Sequence, residues 1–157
     1  MAKSNIFNAS AAEILALFDE YLSGAQNGAV LALSTRPLGE STRFAIARSA
    51  EKFGYGTDAC TFAALLPTDT DDDKDIVPLD PQALFLLVEG LDPLCVICAD
   101  ERATECLGRA FRESYPLDAT IRAFGRSGVA FRNLDALLSD EAGKQQAWHL
   151  LKSLPKR

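Results

Sequence analysis

Histidine is nearly missing from this chain of 157 residues: there is one, His149. Tryptophan and methionine also occur once each, and cysteine four times. No apolar run approaches the roughly 18 residues that a membrane helix needs. The opening MAKSNIFNAS carries no apolar stretch of the kind that marks a secretion signal. These absences lead to the expectation of a cytoplasmic protein with no membrane partner. No internal repeat is visible, and no Gly-Lys-Ser/Thr completes a Walker loop.

The four cysteines are Cys60, Cys95, Cys98 and Cys106. Cys95 and Cys98 form a CxxC, but it lies inside LCVICA, which reads as a buried strand. Residues three apart on a strand point to opposite faces, so both thiolates cannot reach one ion. With no second CxxC and no histidine nearby, no zinc set is complete. The thiols read as core residues, and neither a metal nor a cofactor is expected.

What is present is ordinary for a globular chain: 48% hydrophobic and 24% charged residues. The length fits one domain, 1–157. Acids exceed bases 22 to 16, for a formal charge of −6. Such a surface repels polyphosphate at long range, so nucleic acid could bind only at a local cluster of Lys and Arg.

Ile14, Leu15, Phe18, Tyr21 and Leu22 recur at helical spacing, with Ser10 as cap and Gly24 as stop. This predicts a helical segment within residues 1–28. AVLALS (29–34) predicts a buried strand. Ser41 or Thr42 caps a second helix running to Gly54, with Phe44, Ala47 and Phe53 inward. CTFAALL (60–66) is the next strand. PTDTDDDKDIVPLD (67–80) is crowded with aspartates but lacks the ligand spacing, turning glycine and closing glutamate of a calcium loop. It reads as an acidic mobile loop. Asp80 caps a third helix with Pro81 in its first turn and Leu84, Leu87, Val88 and Leu91 on its face. LCVICA is followed by a helix starting at Asp100, striped by Ala103, Cys106, Leu107, Ala110 and Phe111. ATIRAF (119–124) and GVAFR (128–132) are short strands around GRSG. The closing helix carries Ala147, Trp148, Leu151 and Leu154 on one face, and leaves His149 at the surface or its boundary.

Strands alternating with helices imply parallel strands joined by crossovers, and strands this apolar imply cover on both faces. The expected architecture is a three-layer α/β/α sandwich on a mainly parallel sheet of about four strands. Its ligand site would lie at the carboxyl ends of those strands, on residues 34–41, 66–80, 99–101 and 131–136.

Three stretches together carry a family resemblance: VLALSTRPLGESTRFAIARSAEKFGYGTDACTF, LFLLVEGLDPLCVICADERATECLG and ALLSDEAGKQQAWHLLKSL. Their order resembles the uracil-DNA glycosylase superfamily, most closely its short bacterial and archaeal branches, over residues 29–154. The resemblance implies that fold. It also implies a first motif, a loop holding a water-activating acid, at STRPLGES, where Glu40 is the one acid. The family's second motif begins with His-Pro, whose imidazole hydrogen-bonds the departing uracil. Here AFRNLDALL stands in that place, with Arg132 and Asn133 and neither His nor Pro. The family's base-stacking aromatic has only Phe44 as a nearby equivalent, and core packing is the role expected for it. The early cysteine pair of the cluster-binding branches is missing.

The leading expectation is therefore a divergent member without glycosylase chemistry, acting as a binding module for a protein partner in a setting linked to DNA metabolism. Loss of one preorganised donor typically costs about 100- to 1000-fold in rate, and several are altered here. An alternative is an active glycosylase or DNA-binding protein with altered motifs, in which Glu40 and Asn133 act and Arg36, Arg43, Arg126 and Arg132 form a basic footprint. A further alternative is an enzyme or binder for a small phosphorylated molecule held by Arg36, Arg132 and the backbone of Gly39, Ser41 and Thr42 at the start of the second helix. Oligomeric state is not legible.

Overall fold

A computed structural model describes residues 11–66 and 78–156. Their helices lie against a six-stranded mixed sheet. In chain order the elements are α1 (Ala11–Leu17), a 3-10 turn (Asp19–Tyr21), β1 (Leu22–Gly24), β2 (Val30–Ser34), α2 (Glu40–Lys52), β3 (Cys60–Ala64), α3 (Pro81–Leu91), β4 (Cys95–Cys98), α4 (Glu101–Phe111), β5 (Ala119–Ala123), β6 (Arg126–Ala130), α5 (Leu134–Leu137) and α6 (Glu141–Leu151). The sheet order is β1-β3-β2-β4-β6-β5. The four central strands are parallel and both edges are antiparallel. The expectation of about four strands captured this parallel centre and missed that the sheet has six strands.

Every residue of β2 and β4 is buried. Short uninterrupted apolar runs of this kind need cover on both faces. One face is covered by α1, α3 and α4, which bring Ile14, Leu84, Leu87, Val88 and Leu107 onto Leu31, Leu33, Val96 and Cys98. The other is covered by α2, α5 and α6, which bring Ile46, Phe53, Leu134, Ala147 and Leu151 onto Val30, Ala32, Cys95 and Ile97. Phe131, fully buried in this second core, is alone worth about 1.5–3 kcal/mol of transfer free energy. The CxxC behaves as strand periodicity requires: Cys95 enters one core and Cys98 the other.

Local chemistry sets most helix ends. The carboxylates of Asp80, Asp100 and Asp140 accept from Ala83, Ala103 and Gly143 N–H at 2.7, 2.9 and 2.6 Å. Pro81 occupies the first turn of α3, where its missing N–H costs nothing. α2 closes with Tyr55 N–H on Ala50 O at 3.0 Å and Gly54 N–H on Glu51 O at 3.1 Å, and Gly54 has φ +89°. That pair of bonds is a Schellman motif, and the left-handed position favours glycine.

Several expectations are corrected. The first helix does not run to Leu22. It ends at Leu17, and Leu22–Gly24 forms an edge strand on β3, with Leu22 opposite Ala63. Neither Ser41 nor Thr42 caps α2; the cap position is Gly39, and Glu40 is already helical. The buried side of α2 is Thr42, Ile46, Ser49 and Ala50, continued by Phe53. Phe44 and Ala47 fall outside that stripe, and Phe44 is 64% exposed rather than core-packed. The turn between the last two strands is Phe124-Gly125, both at positive φ, so β6 begins at Arg126 within the expected GRSG loop. The Ser10 cap and residues 67–77 of the acidic stretch lie outside the described residues. Among the described residues, no helix is long and apolar enough to cross a membrane.

Candidate functional site

The four parallel strands end almost flush, at Ser34, Ala64, Cys98 and Ala130. From β2 the chain crosses through α2 to β3 on one side. From β3 it crosses through α3 to β4 on the other side of β2. Crossovers of one hand that leave in opposite directions put α2 and α3 on opposite faces. The strand order thus reverses between β2 and β4. In open α/β sheets the crevice outside such a reversal is where ligands bind.

Among the described residues, the protein's own side chains bridge this crevice. Thr35 follows β2 and Asp100 follows β4. Asp100 Oδ2 accepts Thr35 N–H at 2.7 Å, and Oδ1 accepts the Thr35 hydroxyl at 2.5 Å. Oδ1 also takes Ala103 N–H, so one carboxylate caps α4 and ties down the loop after β2. The backbone of Asp100 accepts the Thr104 hydroxyl at 2.9 Å. On the other side, Leu65 and Leu66 N–H donate to Ser34 O and Thr35 O at 2.9 and 2.7 Å. The loops after β2, β3 and β4 are thereby laced together.

The connection after β6 is spent in the same way. Leu134 N–H donates to Ala99 O at 2.8 Å and Glu101 N–H to Arg132 O at 3.1 Å, around an antiparallel bridge between Asp100 and Asn133. Asn133 Oδ1 accepts Ala136 N–H at 3.1 Å and so caps α5. Arg132 N–H donates to Asp118 Oδ1 at 3.1 Å, while its guanidinium stands 3.6 Å from Glu101. That pair is more than half exposed on both sides, and such pairs are worth about 0–1 kcal/mol.

The remaining candidates are set around this rim. Arg36 is half-buried, and its carbonyl accepts the Ser34 hydroxyl at 2.7 Å. Glu40 and Ser41 are exposed in the first turn of α2. Thr42 is buried and donates its hydroxyl to Asp135 Oδ1, which ties the start of α2 to α5. The segments bearing Glu40 and Asn133 are neighbours through this bond, yet among the described residues no hydrogen bond or ion pair joins the two side chains. A Cβ built on Gly39 meets nothing within 4 Å, so this glycine marks no tight cradle. The Glu40 carboxylate stands in the first turn, where the helix dipole would favour an anion.

The four arginines do not gather. Arg126 starts β6, at the end of the sheet opposite the rim. There it is held by Glu89 at 2.9 Å, Asp92 at 2.6 Å and the Pro93 carbonyl at 3.1 Å. Burial lowers its pKa, and the bonds to Glu89 and Asp92 outweigh that and raise it. Arg43 lies over the Phe62 ring, 4.5 Å from its centre. Burial pushes the thiols of Cys60 and Cys98 up to about 11 and about 12, so neither is a thiolate near neutral pH. Among the described residues, no group of three His, Cys, Asp or Glu could hold a metal ion.

Sequence reasoning placed Asp100 as a helix start and missed its second role, because Thr35 lies 65 residues away. It also missed a groove between α2 and α6, of about 490 Å³. Phe44, Arg48 and Lys52 line one wall, and Lys144 and Trp148 the other. The signal available was on the exposed side of α2, where Phe44, Arg48 and Lys52 follow one another at four-residue spacing.

The fold and the described part of the rim define an α/β protein of three layers with a switch point bridged by internal hydrogen bonds. No family model and no curated protein matches this chain in sequence.

Proposed function

We infer that this chain is a divergent relative of the uracil-DNA glycosylase superfamily whose rim has lost excision chemistry and whose fold serves as a binding module for a protein partner. The observation that carries the reading is the Asp100–Thr35 closure of the crevice between β2 and β4. A glycosylase needs convergent donors left open for developing charge on the departing base. Here Asp100, Thr42 and Asn133 are committed to loops and caps, and among the described residues no partner group is aimed with the exposed Glu40 at a common point. The order of strands and helices, together with the three stretches quoted above, supports the family assignment.

The test is uracil release from a single-stranded oligonucleotide and from a U·G duplex, at low salt, with wild type beside Glu40→Ala and Asn133→Ala. No release and no DNA retention are expected. Release that either substitution abolishes would overturn the reading and make those residues catalytic.

A further inference from the structure

We propose that the groove between α2 and α6 is a docking site for an acidic peptide segment of a partner protein, anchored by an apolar side chain. This deepens the binding-module reading and rests on it for the class of partner.

The groove floor is apolar, made by Ala45, Leu138, Ala147 and Leu151. Phe44 and Trp148 stand above it, 64% and 38% exposed. These are among the few large hydrophobic side chains left open among the described residues, and two of them share one groove. The remaining lining includes Arg48, Lys52 and Lys144, and no carboxylate. On a chain of formal charge −6, a patch lined by three cations and no acid is a local reversal of sign.

The rings and cations are arranged together. Trp148 stacks on Phe53, centroids 5.3 Å apart and planes 19° apart, with Lys52 Nζ 5.1 Å from its centre. Arg48 lies 5.6 Å from the Phe44 centre. The Glu141 carboxylate, just outside the lining, reaches Lys144 at 3.4 Å. Both members are at least half exposed, so a screened pair of this kind gives way readily to an incoming acid.

An acidic peptide with one aromatic or aliphatic anchor satisfies both features: the anchor fills the floor, and the carboxylates meet the cations. A long polyanion fits less well. It would meet the net negative charge of the chain, and its sugar-phosphate backbone has no use for an apolar floor.

Trp148 is the single tryptophan of the chain, so its fluorescence reports occupancy directly. The titrant is a short blocked peptide of Asp, Glu, Leu and Phe. A peptide with Lys in place of the acids, and oligothymidylate, are titrated alongside. Saturable change with the acidic peptide alone is expected. Its midpoint should rise about tenfold or more in Arg48→Glu/Lys52→Glu and in Lys144→Glu. Phe44→Ala, at an exposed ring, should weaken binding with the circular dichroism unchanged. Absence of a response to the acidic peptide, an equal response to the basic one, or tighter binding of oligothymidylate would overturn the proposal. So would self-association that covers Trp148 without any peptide. Uracil release is read separately. Its appearance would refute the non-catalytic reading of the rim while the peptide titration still decides the groove.

Discussion

Asn133, a candidate for chemistry in the sequence, has a structural job in the fold. It follows the last parallel strand, and its oxygen caps a four-residue helix. Loss of such a cap typically costs about 1 kcal/mol. Asn133→Ala should therefore lower stability to denaturant by about that amount, and Asn133→Asp, which keeps the acceptor, should lose much less. Equal loss in both variants would show that the amide N–H group matters instead. The cap aspartates were legible in the sequence because capping is local: Asp80 and Asp100 each precede an apolar periodic run by one turn. The orientation of Phe44 was not. On α2 the apolar positions are too few to fix the phase, and the buried stripe is completed by Thr42 and Ser49, which no apolar pattern reveals.

Between elements, contact distance rather than propensity sets the sequence. α5 and α6 approach so closely that a Cβ on Gly143 would stand 1.9 Å from Leu137 O. Alanine is the better helix former by about 1 kcal/mol, so on an isolated helix Gly143→Ala would stabilise. Here the clash is with backbone, and overpacking of this sort costs about 1–3 kcal/mol or more. Gly143→Ala should lower the melting temperature, whereas unchanged or raised stability would show that the two helices can separate freely. The central strands and helices α2, α3, α4 and α6 were readable because short apolar runs and 3.6-residue stripes are strong signals, whereas the four residues of α5 are too few to show a stripe. β1 was not: three residues are too few to show alternation, and Leu22 continues the helical spacing of Ile14 and Phe18. Its partner, β3, lies some forty residues on, and pairing at that distance leaves no local trace.

For the whole molecule, the three layers followed from the sequence and the state of the crevice did not, since its closure joins residues from separate strands. Burial has a further global consequence. An unfolded cysteine ionises near 9.0, while the folded chain holds Cys60 and Cys98 protonated up to about 11 and about 12. The folded state therefore keeps protons that the unfolded state gives up, so the contribution of these thiols is complete below pH 9 and is lost as pH rises from about 9 to about 12. Unfolding free energy should fall over that window, less steeply in Cys98→Val; identical slopes would mean that this thiol is hydrated. The central claim is that the rim is closed for structure rather than held open for chemistry, and the unfolding of Asp100→Ala tests it most directly. Removing a cap and two hydrogen bonds should cost about 2–4 kcal/mol in denaturant midpoint and slope. A catalytic group, by contrast, is commonly neutral or stabilising to remove. A change below about 0.5 kcal/mol, or a gain, would contradict the closed rim and make Asp100 a candidate for chemistry.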